Sequence, residues 1–538
     1  MKRKVLSNKS NDDSLNIAGG KIISRRAAIS KLTAVSAGLG VAVVVAGVGG
    51  YLAGSAVAPA RTVERTVTAP AAERTVTVEK TIERTVTVTG PTTVTTPPPT
   101  TVITTPTTIA YPLTPNPTKK WPPLQFWGWE YRADIVRDNA RIFTEYTGIP
   151  VEFNAAAEPY EKTMVVKFAA NEPVDVCYVR SETMGAWAEA GWLTPIDDLP
   201  TLDIIKKEYY DYVIDAATYK DHIWGLCYYT DASTLAYHKP IFEKAGITKP
   251  PETLEDIMNY AIDIQKNVGV EYPICIPIST FTNYAIDNFF RLLVADGVIP
   301  FTPEYDPVFA ESDSSRYILE WLRDAWAKNL LNRTLSGPVK EDEITAKGLA
   351  AMTLFTARYL YYNCNITILQ GQKDIVAHHM PGRKHTSTTF VRFYCRTKYN
   401  LERSKSDKSV EEATWQLLDF YGGKYYKFDW RGTGQPEHGF WVARRWVLEA
   451  GLFFAPKSLW EDPIVVETIN KYGWPEVFDE ASRNAVGDYY WKRAPWYYDF
   501  SQYAMPKIQD AIQGIVKVTD VIRDLRDKWL SLKKEKMG

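Results

Sequence analysis

The sequence predicts an α/β protein whose folded part is divided into two lobes, and three observations carry that reading. A chain of 538 residues is longer than one hydrophobic core sustains, so two or more domains are expected. From residue 121 onward, short apolar runs alternate with stretches of helical periodicity, the pattern of a doubly wound sheet. The third observation is the stretch 221–246, DHIWGLCYYTDASTLAYHKPIFEKAG. It reads as a strand at 223–229, a second extended run at 233–238 and a helix with Pro240 near its first position. That order suits a strand leaving one body, crossing a gap and starting another. Trp224, Tyr228, Tyr229 and Asp231 would then lie at a domain interface, where ligand sites preferentially form.

Composition narrows the class. A hydrophobic content of 45% with 24% charged residues is that of a globular protein. The net charge of −1 argues against nucleic acid as a partner, because phosphate binding needs a basic surface. Aromatics are abundant, with 17 Trp and 32 Tyr, and such side chains offer flat faces with a polar handle. Cys177, Cys227, Cys275, Cys364 and Cys395 are far apart with no CxxC pair, so a zinc or dithiol redox motif is absent. One disulfide is possible, with its partners open.

The amino-terminal part has its own organisation. Residues 1–31 are basic, and Ser24-Arg25-Arg26-Ala27-Ala28-Ile29 is similar to a twin-arginine export signal, with Ala27 and Ala28 where bulkier residues are usual. Residues 32–60 are uncharged and exceed the roughly 20 residues that span a bilayer. Basic residues before this run put the amino terminus in the cytoplasm. The run either stays as an anchor, the preferred reading, or is cut near Ala56-Val57-Ala58. No Cys follows it closely, which excludes a lipid-anchored terminus. Residues 61–120 repeat Glu-Arg-Thr-Val-Thr at 64–68, 73–77 and 83–87 and continue in Thr and Pro runs. Nothing there can build a core, so it reads as an extended stalk with a reach on the order of 100 Å.

Within the folded part, 124–127 is a first strand and 135–146 a helix stopped by Gly148. A second strand (151–153), a second helix (160–168), a third strand (174–179) and a third helix (181–190) follow. Ligand sites of such sheets lie beyond the carboxyl ends of the strands. That places Trp127, Trp129 and Glu130 after the first strand, and Arg180 and Ser181 after the third, at one edge.

Seven short motifs now resemble a known family, the extracellular solute-binding proteins of ABC importers (family 1, sugar- and maltose-binding-like). They are Phe126-Trp127-Gly128-Trp129, Phe143-Thr144-Glu145-Tyr146-Thr147-Gly148-Ile149-Pro150-Val151, and Phe168-Ala169-Ala170-Asn171-Glu172-Pro173-Val174-Asp175-Val176. Ala190-Gly191-Trp192-Leu193-Thr194-Pro195-Ile196-Asp197-Asp198-Leu199 follows, then the stretch 221–246, with Cys227 where Pro and His238 where Asn are usual. Lys249-Pro250-Pro251-Glu252-Thr253-Leu254 and Gly348-Leu349-Ala350-Ala351-Met352 complete the series. The likeness covers most of 121–360. It implies a two-lobed periplasmic-binding-protein-like fold (type II), hand-over of a solute to ABC permease subunits, an extracellular location and no catalysis.

On this reading 121–236 is lobe 1, with 390–435 returning to it. Lobe 2 is 237–389, with 436–538 largely packing on it. Helices are expected at 253–266, 284–295 and 314–329, near residue 350, and over 410–421, with strands at 272–278 and 375–379. A terminal helix opening at Pro506 should bury Ile508, Ile512, Ile515, Ile522, Leu525 and Trp529. Carbohydrate is the expected solute: sugar rings stack their C–H faces on Trp or Tyr, and their hydroxyls need polar partners. The expected ligand-binding residues are Trp127, Trp129, Glu130, Arg180 and Ser181 from lobe 1, Trp224, Tyr229 and Asp231 from the crossing, and Phe355 and Arg358 from lobe 2. Gln435, Glu437 and Trp441 are further candidates. No metal or cofactor is expected: His378 and His379 are adjacent on a strand and point to opposite faces. HExxH, GxSxG and phosphate-binding Gly loops are absent. The rival from another class is a membrane-tethered extracellular glycoside hydrolase, which needs two carboxylates about 5–10 Å apart across a cleft. Asn332-Arg333-Thr334 and Asn365-Ile366-Thr367 match the N-glycosylation pattern.

Overall fold

The computed structural model describes residues 116–537, apart from 158, 425, 430–433 and 488, together with an antiparallel strand pair at Ser14–Leu15 and Ile23–Ser24. The expected membrane run at 32–60 and nearly all of the basic region and stalk lie outside the described residues. Among the described residues, no helix is long and apolar enough to cross a membrane.

The first sheet begins with β1 (Leu124–Trp129), β2 (Val151–Ala156) and β3 (Val176–Arg180), which are parallel in the order β2-β1-β3. Burial alternates along β1: Leu124 and Phe126 face the core, while Gln125, Trp127 and Trp129 take the other face. Helix α1 (Ala133–Thr147) follows β1 and ends where Gly148 adopts φ 76° and donates its N–H to Thr144 O. Helices α2 (Tyr160–Ala169) and α3 (Ser181–Glu189) follow β2 and β3. The sheet is not purely parallel. Strand β4 (Leu226–Ala232) and a nine-residue strand from later in the chain, β7 (Thr388–Arg396), extend it, β7 lying antiparallel between β3 and β4.

The second sheet is built on β5 (Thr234–His238), which continues from β4 through the single residue Ser233. It pairs antiparallel with β6 (Ile375–His378) and with a strand at Met352–Thr356, which runs parallel to Ile274–Cys275. The sequence leads to a helix near residue 350; the structure has the strand Met352–Thr356 instead, preceded by a short helix at Glu341–Ala346. Helix α4 (Leu254–Val268) opens on a capping box between Thr253 and Asp256, and α5 (Tyr284–Ala295) packs against this sheet's core.

Two cores result. The first contains Phe126, Phe143, Tyr178, Val391 and Trp446; the second contains Phe289, Phe290, Leu322, Phe500 and Trp529. The chain crosses between the two sheets at Ser233 and at 379–387 and from the first core to the second at 484–496, while Leu360–Ala377, ahead of the second crossing, packs on the first core. The expected division of the carboxyl-terminal part needs correction. Residues from Phe440 to Phe478 stay in the first core, and only from Trp491 does the chain enter the second. Leu360, Tyr361 and Cys364, read as lobe 2, also belong to the first core. The terminal helix is two helices, Tyr497–Ile512, with Pro506 inside, and Val518–Met537. Ile515 falls between them and is 68% exposed. Both asparagines of the glycosylation pattern are buried. Asn365 Nδ2 donates to Ile375 O and Tyr472 O, and Asn332 Oδ1 accepts from Ile276 N, so neither is open to a transferase.

Candidate functional site

The carboxyl ends of β1 and β3 bring together an aromatic shelf. Trp129 stacks on Tyr131 (centroids 5.4 Å apart, planes at 22°) and on Tyr178 (6.2 Å, 27°). Tyr178 and Arg180 are two residues apart on β3 and so share a face; the Arg180 guanidinium lies 5.3 Å from the Trp129 ring centroid. Trp129 Nε1 is buried and meets no hydrogen-bond acceptor among the described residues, a donor that costs free energy until something accepts from it. Burial pushes the Tyr131 hydroxyl up to about 12, so the shelf edge is a neutral phenol.

The charges beside the shelf are paired. Arg180 Nε sits 3.1 Å from Glu161 Oε1, and Arg392 Nη1 donates to Glu182 Oε2 at 3.1 Å. Burial alone would raise the Glu182 carboxyl, but Arg392, Lys492 and Arg180 outweigh it and hold it at about 2. Ser181 is buried at the start of α3, its Oγ 3.2 Å from Glu182 Oε2.

A second wall faces this one. Tyr284, Asp287 and Arg291 are spaced i, i+3, i+7 on α5 and share a stripe. Asp287 lies 2.7 Å from Lys492, both side chains nearly fully buried, and accepts a hydrogen bond from the Tyr497 hydroxyl. Lys492 is also among the charges that hold Glu182 down, so the α5 stripe is turned toward Glu182 and Arg392 of the first lobe. Along the stripe, Arg291 lies 5.9 Å from the Phe355 ring centroid. Phe355 itself has φ 63°, a left-handed backbone rare outside glycine and concentrated at functional sites. Burial raises Glu341 to about 8 against the opposing charge of Arg291, so this carboxyl holds its proton at neutral pH. The third crossing straps the walls together. Trp491 and Trp496 are buried in the second core, while Arg493 Nη1 donates to Thr218 O at 2.9 Å in the first lobe.

Several expected residues sit elsewhere. Trp127 shares the face of Trp129 but is covered by the Lys167 ammonium, 4.0 Å from its ring centroid. Glu130 is exposed at the loop tip. Tyr229 is buried edge-to-face on Phe390, beside Arg392, at the floor. Trp224 is a core residue whose Nε1 donates to Tyr219 O at 2.8 Å. Asp231 and Arg358 are joined to each other: Asp231 Oδ2 accepts the Arg358 N–H at 3.0 Å, which caps the short helix Arg358–Tyr361 across the crossing. The Arg358 side chain is buried, donating to Gly451 O and stacking 4.2 Å from the Phe453 ring centroid. Gln435, Glu437 and Trp441 lie at the far end of α1. The helix Trp441–Ala450 runs antiparallel to α1, with Arg132 donating to Glu449 O at one end. At the other end Trp441 meets Phe420, which meets Phe143. These residues are therefore not part of the shelf.

Tyr131, Tyr178, Glu161, Glu182 and Arg392, and on the second wall Tyr284, Arg291 and Glu341, were not among the expected residues. One signal was present for Arg392: it is a charge in the middle of the apolar run Phe390–Cys395, where a strand buried on both faces would carry none.

The architecture, two α/β lobes joined by three crossings around a walled site, is that of two-lobed periplasmic binding proteins. A solute-binding protein of an ABC transporter from Thermotoga lettingae, bound with α-D-tagatose, superposes with a TM-score of 0.61 at 18% identity, over 76% of this chain and 99% of that one. Maltose-bound MalE3 of T. maritima does so with a TM-score of 0.61 at 17% identity, over 76% and 99%. In sequence, the chain is 26% identical over 130 residues to the maltotriose-binding protein of Pyrococcus abyssi, 24% of this chain and 27% of that protein. It is 29% identical over 91 residues to the mannitol-binding protein of Pseudomonas aeruginosa, 17% of this chain and 21% of that one. The chain thus spans about a quarter of the length of these curated relatives. Residues 130–351 match the family model for bacterial extracellular solute-binding proteins.

Proposed function

We propose that this chain is the extracellular substrate-binding component of an ABC importer. It closes its two lobes on a sugar or oligosaccharide and delivers it to membrane permease subunits, held at the outer face of the membrane by its amino-terminal segment. One observation carries the choice of solute: a Trp129–Tyr131–Tyr178 shelf with an unmet indole N–H. A sugar ring supplies what the shelf lacks, apolar C–H groups for the stacked faces and an oxygen acceptor for Nε1. The guanidinium–carboxylate pairs on either side offer both donors and acceptors to hydroxyls while adding little net charge. Two relatives support this reading in kind, being named for maltotriose and mannitol. Closure follows from the two walls: a solute touching both binds the closed state better than the open one and shifts the population toward it.

The test is a thermal-shift screen of the purified protein against mono- and oligosaccharides, with sugar release followed in parallel. A bound sugar at about 100 times its Kd should add about 2.7 kcal/mol of stability, with no turnover. No shift with any sugar, together with one produced by a peptide or an ion, would overturn the carbohydrate reading. Release of product would favour the hydrolase.

A further inference from the structure

The five cysteines are all thiols in the structure, and all are buried. The fold brings two of them face to face. Cys177 lies in β3 and Cys395 in β7, and the antiparallel register sets them directly opposite each other. They are more than two hundred residues apart in sequence and meet only because β7 returns to fill the gap between β3 and β4. Opposed residues of an antiparallel pair point to the same face of the sheet, with Cα atoms about 4.5 or 5.5 Å apart. Both separations fall within the roughly 4.4–6.8 Å that a disulfide bridges. The Cβ atoms, about 4.5–5.5 Å apart in such a pair, would draw together by about 1 Å. The Cys395 sulfur rests over Gly225, where an added Cβ would meet it at 2.6 Å, so a turn about its Cα–Cβ bond is needed to face Cys177.

The other three cysteines are not so placed. Cys227 is opposite Phe393, which makes it a diagonal neighbour of Cys395, about 7–8 Å away and beyond the span of a disulfide. Cys275 lies in the second sheet, in the strand Ile274–Cys275, and Cys364 Sγ donates to Asp342 O at 3.3 Å.

We propose that Cys177 and Cys395 are a disulfide-forming pair that locks β7 into the first sheet, the bond being made by exchange with a small-molecule or protein disulfide as the sheet assembles outside the cell. One cysteine thiolate attacks a sulfur of the oxidant and expels one half of it as a thiolate. The second cysteine thiolate attacks the protein sulfur of this mixed disulfide, closes the bond and expels the other half. The oxidant is reduced to two thiols, which take up the protons that the cysteines gave up, and the two cysteine sulfurs together lose two electrons. Both side chains are fully buried in the finished core, and burial pushes both thiols up. Neither supplies a thiolate there, so the bond forms while the sheet is still open. The extracellular setting proposed above enters only as the source of the oxidant. The pairing itself follows from the strand register.

In the test the oxidant is supplied, so the result depends neither on where the protein works nor on what the shelf binds. The full chain is unfolded in urea with reductant and refolded by dilution into mixed reduced and oxidised glutathione. It is then blocked with iodoacetamide and digested with trypsin without reduction. A peptide covering 168–180 should appear joined to one covering 393–396 in at least about half of the refolded chain, and reduction should separate them. The oxidised chain should have a urea midpoint about 0.3 M or more above chain refolded in reductant, because closing so long a loop constrains the unfolded state. Cys177→Ala should lose this difference and yield 393–396 as the alkylated thiol. Should that variant not fold, Cys395→Ala gives the same reading from 168–180. Recovery of both peptides from folded wild type as separate alkylated or glutathione-bearing species would overturn the pairing. So would a link from 393–396 to the Cys227 peptide, 221–244, or an oxidised midpoint at or below the reduced one.

Discussion

Replacing Trp129 by Ala removes the centre of the shelf, and the structure sets the size of the effect. The indole gives a stacking face, worth about 0.5–1.5 kcal/mol beyond its area, and a buried N–H whose bond to a solute oxygen is worth about 0.5–1.5 kcal/mol net. Their sum, centred near 2 kcal/mol, corresponds to a loss of affinity of roughly tenfold or more at about 1.4 kcal/mol per decade. The ring is only partly buried and packs on the rim of the core, so the fold should survive its removal. The assay is calorimetric titration with whichever sugar gives the largest thermal shift, alongside the unfolding midpoint. Trp129→Phe keeps a stacking face but no donor and should recover part of the loss. Unchanged affinity in Trp129→Ala, with the midpoint lowered, would refute the reasoning and return this residue to the core.

Other expectations are of different kinds. Trp441→Ala, at the far end of α1, should leave sugar affinity within about twofold on calorimetric titration, because it packs at a tilt against Phe420 and not on the shelf. Gly185→Val should lower the urea midpoint by about 1–3 kcal/mol of stability, since a side chain there would meet the Arg493 carbonyl oxygen at 2.4 Å. Asp231 has its native pKa raised to about 7 by burial, against the opposing charge of Arg358. The native state then holds a proton that the unfolded chain releases near pH 4, so this residue's contribution to stability is present in acid and lost as pH rises toward 7. Thermal midpoints from pH 4.5 to 8 should therefore fall less steeply in Asp231→Asn than in the wild type.

The alternation of strands and helices from Leu124 to Glu189 was legible because each element keeps its own period: residue pairs two apart on β1, and Ile135, Val136, Ala140 and Phe143 on α1. The meeting of Trp129 and Arg180 at neighbouring strand ends was legible for the same reason, since strand ends can be located in a sequence. The expected helix near residue 350 failed because Ala350, Ala351 and Met352 favour a helix locally, whereas their neighbours Pro273–Cys275 and Ala236–Tyr237 offer ladder partners that a helix could not use. Trp224 and Trp129 look alike in sequence. What separates them is whether Nε1 finds a carbonyl, Tyr219 O in one case and none among the described residues in the other, and the first depends on the hairpin Thr218–Ile223. Arg358 looked like a ligand for hydroxyls because an exposed guanidinium would be one. Its burial on Phe453 under the Gly451 carbonyl comes from a segment almost a hundred residues away. Lys492 and Arg493 reach the site region from farther still, Arg493 meeting Thr218 across 275 residues, and no local pattern announces them.

The second core is completed by residues from Trp491 onward, which follow the last buried residue of the first core, Phe478. Phe290 rests on Trp491 and Phe301 on Trp529, so until these residues emerge during synthesis, a finished first half must wait beside a second half with its greasy side open. Neither half can be cut out as one uninterrupted stretch, and a premature stop before Trp491 should yield an aggregating product, not a smaller working one.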